Sequence, residues 1–237
     1  SSYKAIQICN QYLAEFQGLT FDELKLNDDY RAQMFRYTNS FKEARFLRAY
    51  FYFNLVRAYG DVPYFTEMVT TDQVNSLTRT PAQEIFNAII AECDKLSTEL
   101  PADYTKLGLD GIAPAENGRV TCYAALALKA RAALYAASPL FNPENNKDLW
   151  RRAAEANKEV IETCTANGFK LSKYSELWGP NNWSNNEMIF VRRYNGNIST
   201  LEEYNFPMGV PGGNSGNCPT QNMVDAYEMK ATGKMWN

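Results

Sequence analysis

Residues 41–65, FKEARFLRAYFYFNLVRAYGDVPYF, constrain the fold more than any other stretch. Ala44, Leu47, Phe51, Leu55 and Ala58 recur at helical spacing, and Phe46, Ala49, Phe53 and Val56 form a second stripe beside them. A helix that is apolar around most of its circumference has to be enclosed by neighbours on several sides. Only Arg45, Arg48, Tyr52 and Tyr59 make a stripe with polar tips. Gly60 can take the left-handed conformation that ends a helix, and Pro63 prevents its resumption. The spacing therefore predicts one long helix at the centre of the fold, with Phe51 in the core, running into a fixed turn.

The rest of the chain reads as packing around that helix. YKAIQICNQYLAEF (3–16) places Ile6, Cys9, Leu13 and Phe16 on one face. Asp28-Asp29 opens a short helix, YRAQMFRY, with acidic residues suited to the positive end of the dipole. Residues 65–79 read as a surface loop. Pro81 suits a first helical position, and Thr80-x-x-Gln83 has the form of a capping box. Ile85, Ile89, Cys93, Leu96 and Leu100 then make a buried stripe that stops at Pro101. After a loop over 102–117, TCYAALALKARAALYAASPLFN carries eight alanines between Ala124 and Ala137. Alanine favours the helix and lets neighbouring helices approach closely. A further helix spans 148–167, with Leu149, Ala153, Ala156, Val160 and Cys164 inward and Gly168 as its cap.

Ala44, Leu47, Arg48 and Ala49 match Ala125, Leu128, Lys129 and Ala130 at a constant offset of 81. Paired helices with small residues at the crossings resemble a degenerate tetratricopeptide repeat, although the loops are too long for a regular array. Beyond residue 170 the character changes. Asn, Gly, Trp and Tyr crowd the segment, MIFVRRY (188–194) has strand propensity, and NFPMGVPGGNSGNCPT is a glycine-rich loop. Thr220 can cap a last helix, QNMVDAYEM. The expected fold class is mainly α: a tetratricopeptide-like helical region over 1–170, then a loop-rich ligand-binding segment with short strands over 171–237.

Several functions are excluded by what the chain lacks. It has no histidine, so a Ser-His-Asp or Cys-His apparatus and any histidine metal site are out of reach. A net charge of −3 argues against a nucleic-acid partner. No apolar run approaches the length of a membrane span. Cys9, Cys93, Cys122, Cys164 and Cys218 are scattered without a Cys-x-x-Cys pair, and four lie in expected helices as small hydrophobes. The adjacent carboxylates Asp28-Asp29 and Glu202-Glu203 do not project to one point, as hydrolysis of a glycosidic bond requires. No cofactor motif is present. Both ends look cut, as in an interior piece of a longer protein.

Binding is better supplied than catalysis. Sugar rings stack their C–H faces on aromatic rings, and amide side chains match hydroxyls as donor and acceptor. WGPNNWSNNE places Trp178 and Trp183 among four asparagines, and Trp183, Tyr194, Asn195, Tyr204, Asn214 and Asn217 are the candidate ligand residues. Trp178, beside Leu177, is expected in the core.

Four blocks in order also resemble a known family. They are YKAIQICNQYL, EARFLRAYFYFNLVRAYGDVPYF, GRVTCYAALALKARAALYAASPLFN, and the run from NNEMIFVRRY to GGNSGNCPTQNMVDAYEM. Together they are similar to the SusD/RagB proteins, nutrient-binding lipoproteins of the Bacteroidetes outer membrane. The resemblance implies a receptor without catalytic activity or cofactor. It would sit on the cell surface, capture oligosaccharide, and deliver it to a SusC-like TonB-dependent transporter. The lipid anchor would lie outside this sequence, and some site aromatics would come from before residue 1 and after residue 237. The family also includes peptide binders, so a RagB-like peptide receptor stays open. On the residues alone, so does a repeat scaffold for protein–protein interaction.

Overall fold

In the computed structural model, which describes residues 2–111, 118–178, 182, 185–192 and 204–235, α1 (Ser2–Glu15) is followed by α2 (Tyr30–Tyr59). The short helix expected from Asp28-Asp29 and the organising helix are one element of 30 residues. It ends at Gly60, whose positive φ of 69° is the conformation that glycine adopts without penalty. α3 (Thr71–Ser76), α4 (Ala82–Glu99), α5 (Cys122–Ala137) and α6 (Lys147–Ala166) follow. Apart from α3, each helix packs antiparallel on the next, α1 on α2, α2 on α4, α4 on α5 and α5 on α6. Polar links record the register: Tyr12 with Ser40, Arg45 with Glu92 and Glu99, Lys129 with Asp94 and Glu159. The alanine-rich α5 sits in the middle, where small side chains let α4 and α6 approach from two sides.

The core corrects two expectations for α2. Phe46, Phe53 and Val56 are fully buried, so the second stripe is the inner one. Leu47 and Phe51 are only half-buried at its margin, and Ala58 is exposed. Tyr52, expected with its polar tip outward, is among the most buried side chains. Burial is tolerated because its hydroxyl bonds the backbone of Phe65 beyond the turn. A second buried polar group ties α2 to the α4–α5 connection. Asn39 Nδ2 donates to Glu43 Oε1 (2.7 Å) and to the Tyr104 hydroxyl (2.8 Å). Arg119 Nε donates to Glu43 Oε1 at 2.8 Å and Tyr104 donates to Val120 O at 2.7 Å.

The helix starts also differ from expectation. Thr80 makes no capping box; its amide bonds Val62 O, and an antiparallel bridge joins the two residues. The carboxylate of Asp61 accepts from the Ala82 amide instead (2.8 Å), and Gln83 reaches α5, donating to Ala136 O and Phe141 O. The capping box is found ten residues earlier, Thr70 with Gln73, and it opens α3 in a stretch expected to be loop. At the other end of α6, Gly168 takes a φ of 87°, and Phe169 N–H returns to Cys164 O as in a helix-ending Schellman turn.

Compactness divides the chain into Ser1–Val191 and Arg192–Asn237. Residues 188–191 of the expected strand, in the first unit, and 192, in the second, form no ladder; 193 and 194 lie outside the described residues. The second unit carries α7 (Gln221–Asp225), opened by Thr220 as expected through its side chain and the Met223 amide, but shorter. The described residues contain no strand, only the bridges Val62–Thr80 and Glu228–Met235. The short-strand expectation is therefore corrected, while the mainly helical class holds.

All five cysteines are free thiols, with Cys9, Cys93 and Cys164 buried, Cys122 half-buried and Cys218 exposed. Burial pushes the Cys93 thiol up to about 12 and raises Cys9, Cys122 and Cys164 in the same direction. A thiol-specific reagent should therefore modify Cys218 quickly in the native protein and the other four only on unfolding. Reducing agent should leave the melting curve and the native mass unchanged. A native mass short of two hydrogens per cysteine pair would contradict this.

Candidate functional site

The turn after α2 is held in an unusual way. Residues 63–67 belong to no helix or strand, yet side chains of α1 and α2 bind their backbone nearly continuously. Tyr3 Oη donates to Pro63 O (2.9 Å), and Tyr52 Oη both accepts from Phe65 N (2.9 Å) and donates to Phe65 O (2.7 Å). Arg48 Nη1 donates to Thr66 O at 2.8 Å and Asn10 Nδ2 to Glu67 O at 2.9 Å. Arg48 also donates to Asn10 Oδ1, which locks the two helices around the strap. Burial raises the pKa of Tyr52, so its hydroxyl keeps its proton throughout the physiological range. Between the strap and α4 lies a polar cavity of about 130 Å³ beside Arg45, Arg48, Tyr64 and Glu92. Arg45 and Arg48 are already engaged there by Glu92, Glu99, Asn10 and Thr66. That cavity is part of the scaffold.

The aromatic surface lies elsewhere in the first unit. Trp178, expected in the core, is 70% exposed, and Tyr174 is 76% exposed. They occupy a 3-10 turn, Tyr174–Trp178, with their rings edge to face at 5.6 Å. Leu177 is the half-buried residue of the turn, and the tight helical repeat directs its neighbour to solvent. Asn182 Nδ2 donates to Leu177 O and fixes the end of the turn. Sequence reasoning missed this pair, yet it left a signal. Two aromatics four apart among Ser172, Lys173, Ser175 and Glu176 have no apolar run to bury them.

Of the six candidate ligand residues, Trp183, Tyr194 and Asn195 lie outside the described residues. The other three belong to one loop of the second unit, whose ends are paired by Gly216 N to Tyr204 O (2.8 Å) and Ser215 N to Phe206 O (2.9 Å). Tyr204 is 54% exposed, and its ring lies so close to Gly216 that a Cβ there would collide with it. Asn217 Nδ2 donates to Asn205 Oδ1 at 2.8 Å at the base of the loop, so Tyr204 and Asn217 come together. Asn214 is exposed nearer the tip, where its amide donates to Gly212 O at 3.4 Å. Exposed rings beside amides suit the binding of a hydroxylated ligand. Asp29, from one adjacent carboxylate pair, accepts a hydrogen bond from Gln33 on the surface of α2.

Comparison with known proteins bears on the family and the fold. A SusD-like family model, described as starch-binding and associating with the outer membrane, matches residues 1–134. SusD-like protein P2 of Formosa agariphila is 26% identical over 203 residues, which cover 84% of this chain and 34% of that protein. SusD-like protein P25 of the same organism is 25% identical over 149 residues, 62% of this chain and 24% of that protein. The chain thus spans a quarter to a third of these relatives. A SusD-like protein of Bacteroides fragilis matches all of this chain and 42% of its own at 25% identity and a TM-score of 0.67. A SusD-like carbohydrate-binding protein of the same species covers 80% of this chain and 31% of its own, with 28% identity and a TM-score of 0.58. A laminarin-binding SusD-like protein covers 80% and 35%, with 25% identity and a TM-score of 0.57. Family match, helical order and structural likeness agree, and the chain belongs to the SusD-like family.

Proposed function

We propose that this protein is a non-catalytic oligosaccharide receptor of the bacterial cell surface that delivers glycan to a SusC-like TonB-dependent transporter. Residues 1–170 serve as the helical scaffold and 171–237 carry ligand residues, among them Trp183, Tyr194, Asn195, Tyr204, Asn214 and Asn217. The observation that carries this reading is the exposed Tyr174–Trp178 pair in an amide-rich segment. Two large rings left in water lose favourable burial unless a ligand covers them, and a pyranose face does so while its hydroxyls reach the neighbouring amides. Family membership supports glycan as the ligand, and the family's description supports an outer-membrane setting. Among the described residues no helix is long and apolar enough to cross a membrane. On this reading a lipid anchor outside this sequence holds the receptor at the surface.

Affinity should be modest. Each hydroxyl hydrogen bond contributes about 0.5–1.5 kcal/mol net. One stacked ring adds about 1–3 kcal/mol, which leaves binding in the micromolar to millimolar range after the cost of association. Trp178→Ala in the full-length protein should weaken glycan binding at least about tenfold, or ~1.4 kcal/mol, without lowering the melting temperature. Calorimetric titration against laminarin, starch, mannan and a peptide panel decides it. Binding of peptide alone, or glycan binding indifferent to Trp178, would remove the reading.

A further inference from the structure

The loop of the second unit carries two glycines at which a side chain would have no room. At Gly213 an added Cβ would meet main chain, 2.1 Å from Pro207 O and 2.8 Å from Phe206 O. At Gly216 its three nearest atoms would all belong to the Tyr204 ring, Cε1 at 1.8 Å, Cδ1 at 2.1 Å and Cζ at 2.5 Å. A point beyond the ring edge and that close to Cε1 would lie farther from both neighbouring carbons. The glycine therefore sits over one face of the ring. Tyr204 still keeps 54% of its exposure, which leaves the opposite face to solvent.

We propose that Gly216 is a positioning residue: its bare backbone supports the Tyr204 ring from behind and so presents the other face to a sugar. The inference rests on the glycan-receptor reading and gives a role to a residue that has no side chain with which to touch the ligand. The backbone of Gly216 does not itself call for glycine, because its φ lies outside the left-handed range. What the position requires is the absence of a Cβ, and the ring occupies that space. Gly213 differs, since a side chain there would have to displace the path of the chain.

The main chain behind the ring is paired on both sides of the contact. Gly216 N donates to Tyr204 O at 2.8 Å, which ties the glycine to the residue whose ring it supports. Ser215 N donates to Phe206 O, and Asn217 Nδ2 donates to Asn205 Oδ1, so the residues flanking the contact are joined as well. A ring backed in this way has little freedom left to lose when a pyranose face stacks on it, and that is how rigid sites gain affinity. A methyl group at 216 would drive the ring into another staggered rotamer. Because the clash is with the free end of a side chain, the main chain can stay where it is.

Affinity electrophoresis of the full-length protein in gels cast with laminarin, starch or mannan tests this through a double-mutant cycle. For a polysaccharide that the wild type binds, Gly216→Ala and Tyr204→Ala should each lower affinity about three- to tenfold, with an unchanged melting temperature. Added to Tyr204→Ala, Gly216→Ala should lower affinity no further, since the ring it displaces is already gone. A glycine that only shapes the loop would weaken binding or lower the melting temperature alike in both backgrounds, and that result overturns the proposal. Wild-type affinity in Gly216→Ala overturns it too. Tyr204→Ala without effect, while Trp178→Ala still weakens binding, overturns the role of this glycine and leaves the receptor reading standing. A wild type retarded by none of the three polysaccharides counts against the receptor reading and the glycine's role together.

Discussion

Phe53→Ala lowers the free energy of unfolding by about 3–5 kcal/mol, the range for deleting a large aromatic from a close-packed core. Phe53 is 2% exposed on the inner face of α2, where Tyr135 of α5 meets its ring edge on at 5.2 Å. Arg57 and Arg131 stand over the same ring at 5.8 Å and 5.7 Å, so truncation removes aromatic and cation contacts as well as buried area. Denaturant unfolding measures the loss, and Phe51→Ala is the internal comparison. Phe51 is half-buried at the margin of the core, so its truncation should cost clearly less. Equal losses at the two positions would mean that the inner face of α2 has been misassigned.

Glu43→Leu should destabilise the protein by about 2–3 kcal/mol, between the values for exposed and fully buried ion pairs. Glu43 Oε1 accepts from Asn39 Nδ2 and Arg119 Nε, and Oε2 accepts from Arg119 Nη2. The two side chains of the pair keep 16% and 27% of their exposure, enough for water to soften the loss. In the same cluster the Tyr104 hydroxyl keeps Val120 O and Asn39 Nδ2 keeps the Tyr104 hydroxyl, so the loss falls mainly on the contact with Arg119. Glu43→Gln, which keeps an acceptor, should recover part of the loss. If Leu and wild type unfold at the same denaturant concentration, the cluster does not tie α2 to the α4–α5 connection.

The helical half was legible because its signals are local. Apolar spacing in α4, the alanine run of α5 and the Gly168 cap each act within a turn or two of their own residues. The misreadings were of partners distant in sequence. Tyr52 looks outward by spacing, but Phe65, across the turn, satisfies its hydroxyl and lets it be buried. Thr80 and Gln83 have the capping-box form, yet Val62 O takes the Thr80 amide and the Gln83 side chain goes to Ala136 O and Phe141 O. The same signature at Thr70 and Gln73 was passed over because α3 has Val74 as its one large apolar residue. MIFVRRY has the composition of a strand and no neighbouring edge to pair with among the described residues, and propensity without a partner makes no sheet.

For the candidate site, residue types were legible and placement was not. Amides and aromatics after residue 170 could be recognised, and Tyr204 and Asn217 do meet at one loop base. That Trp178 faces water follows from the pitch of a 3-10 turn, a detail with no distinct pattern in composition. The stacked rings of Tyr3 and Phe65 join residues 62 positions apart, and neither is unusual in its own context.

The strap at 63–67 has its shape set from outside itself. Backbone groups that a sheet or helix would satisfy locally are assigned to Tyr3, Asn10, Arg48 and Tyr52, all on helices. The strap therefore has little conformation of its own to inherit. A substitution on α1, far from the turn in sequence, can redraw the surface beside the turn, whereas changes in the strap's own side chains leave those backbone attachments in place. Selection could thus vary what this edge of the molecule presents by editing a helix, and the loop would follow.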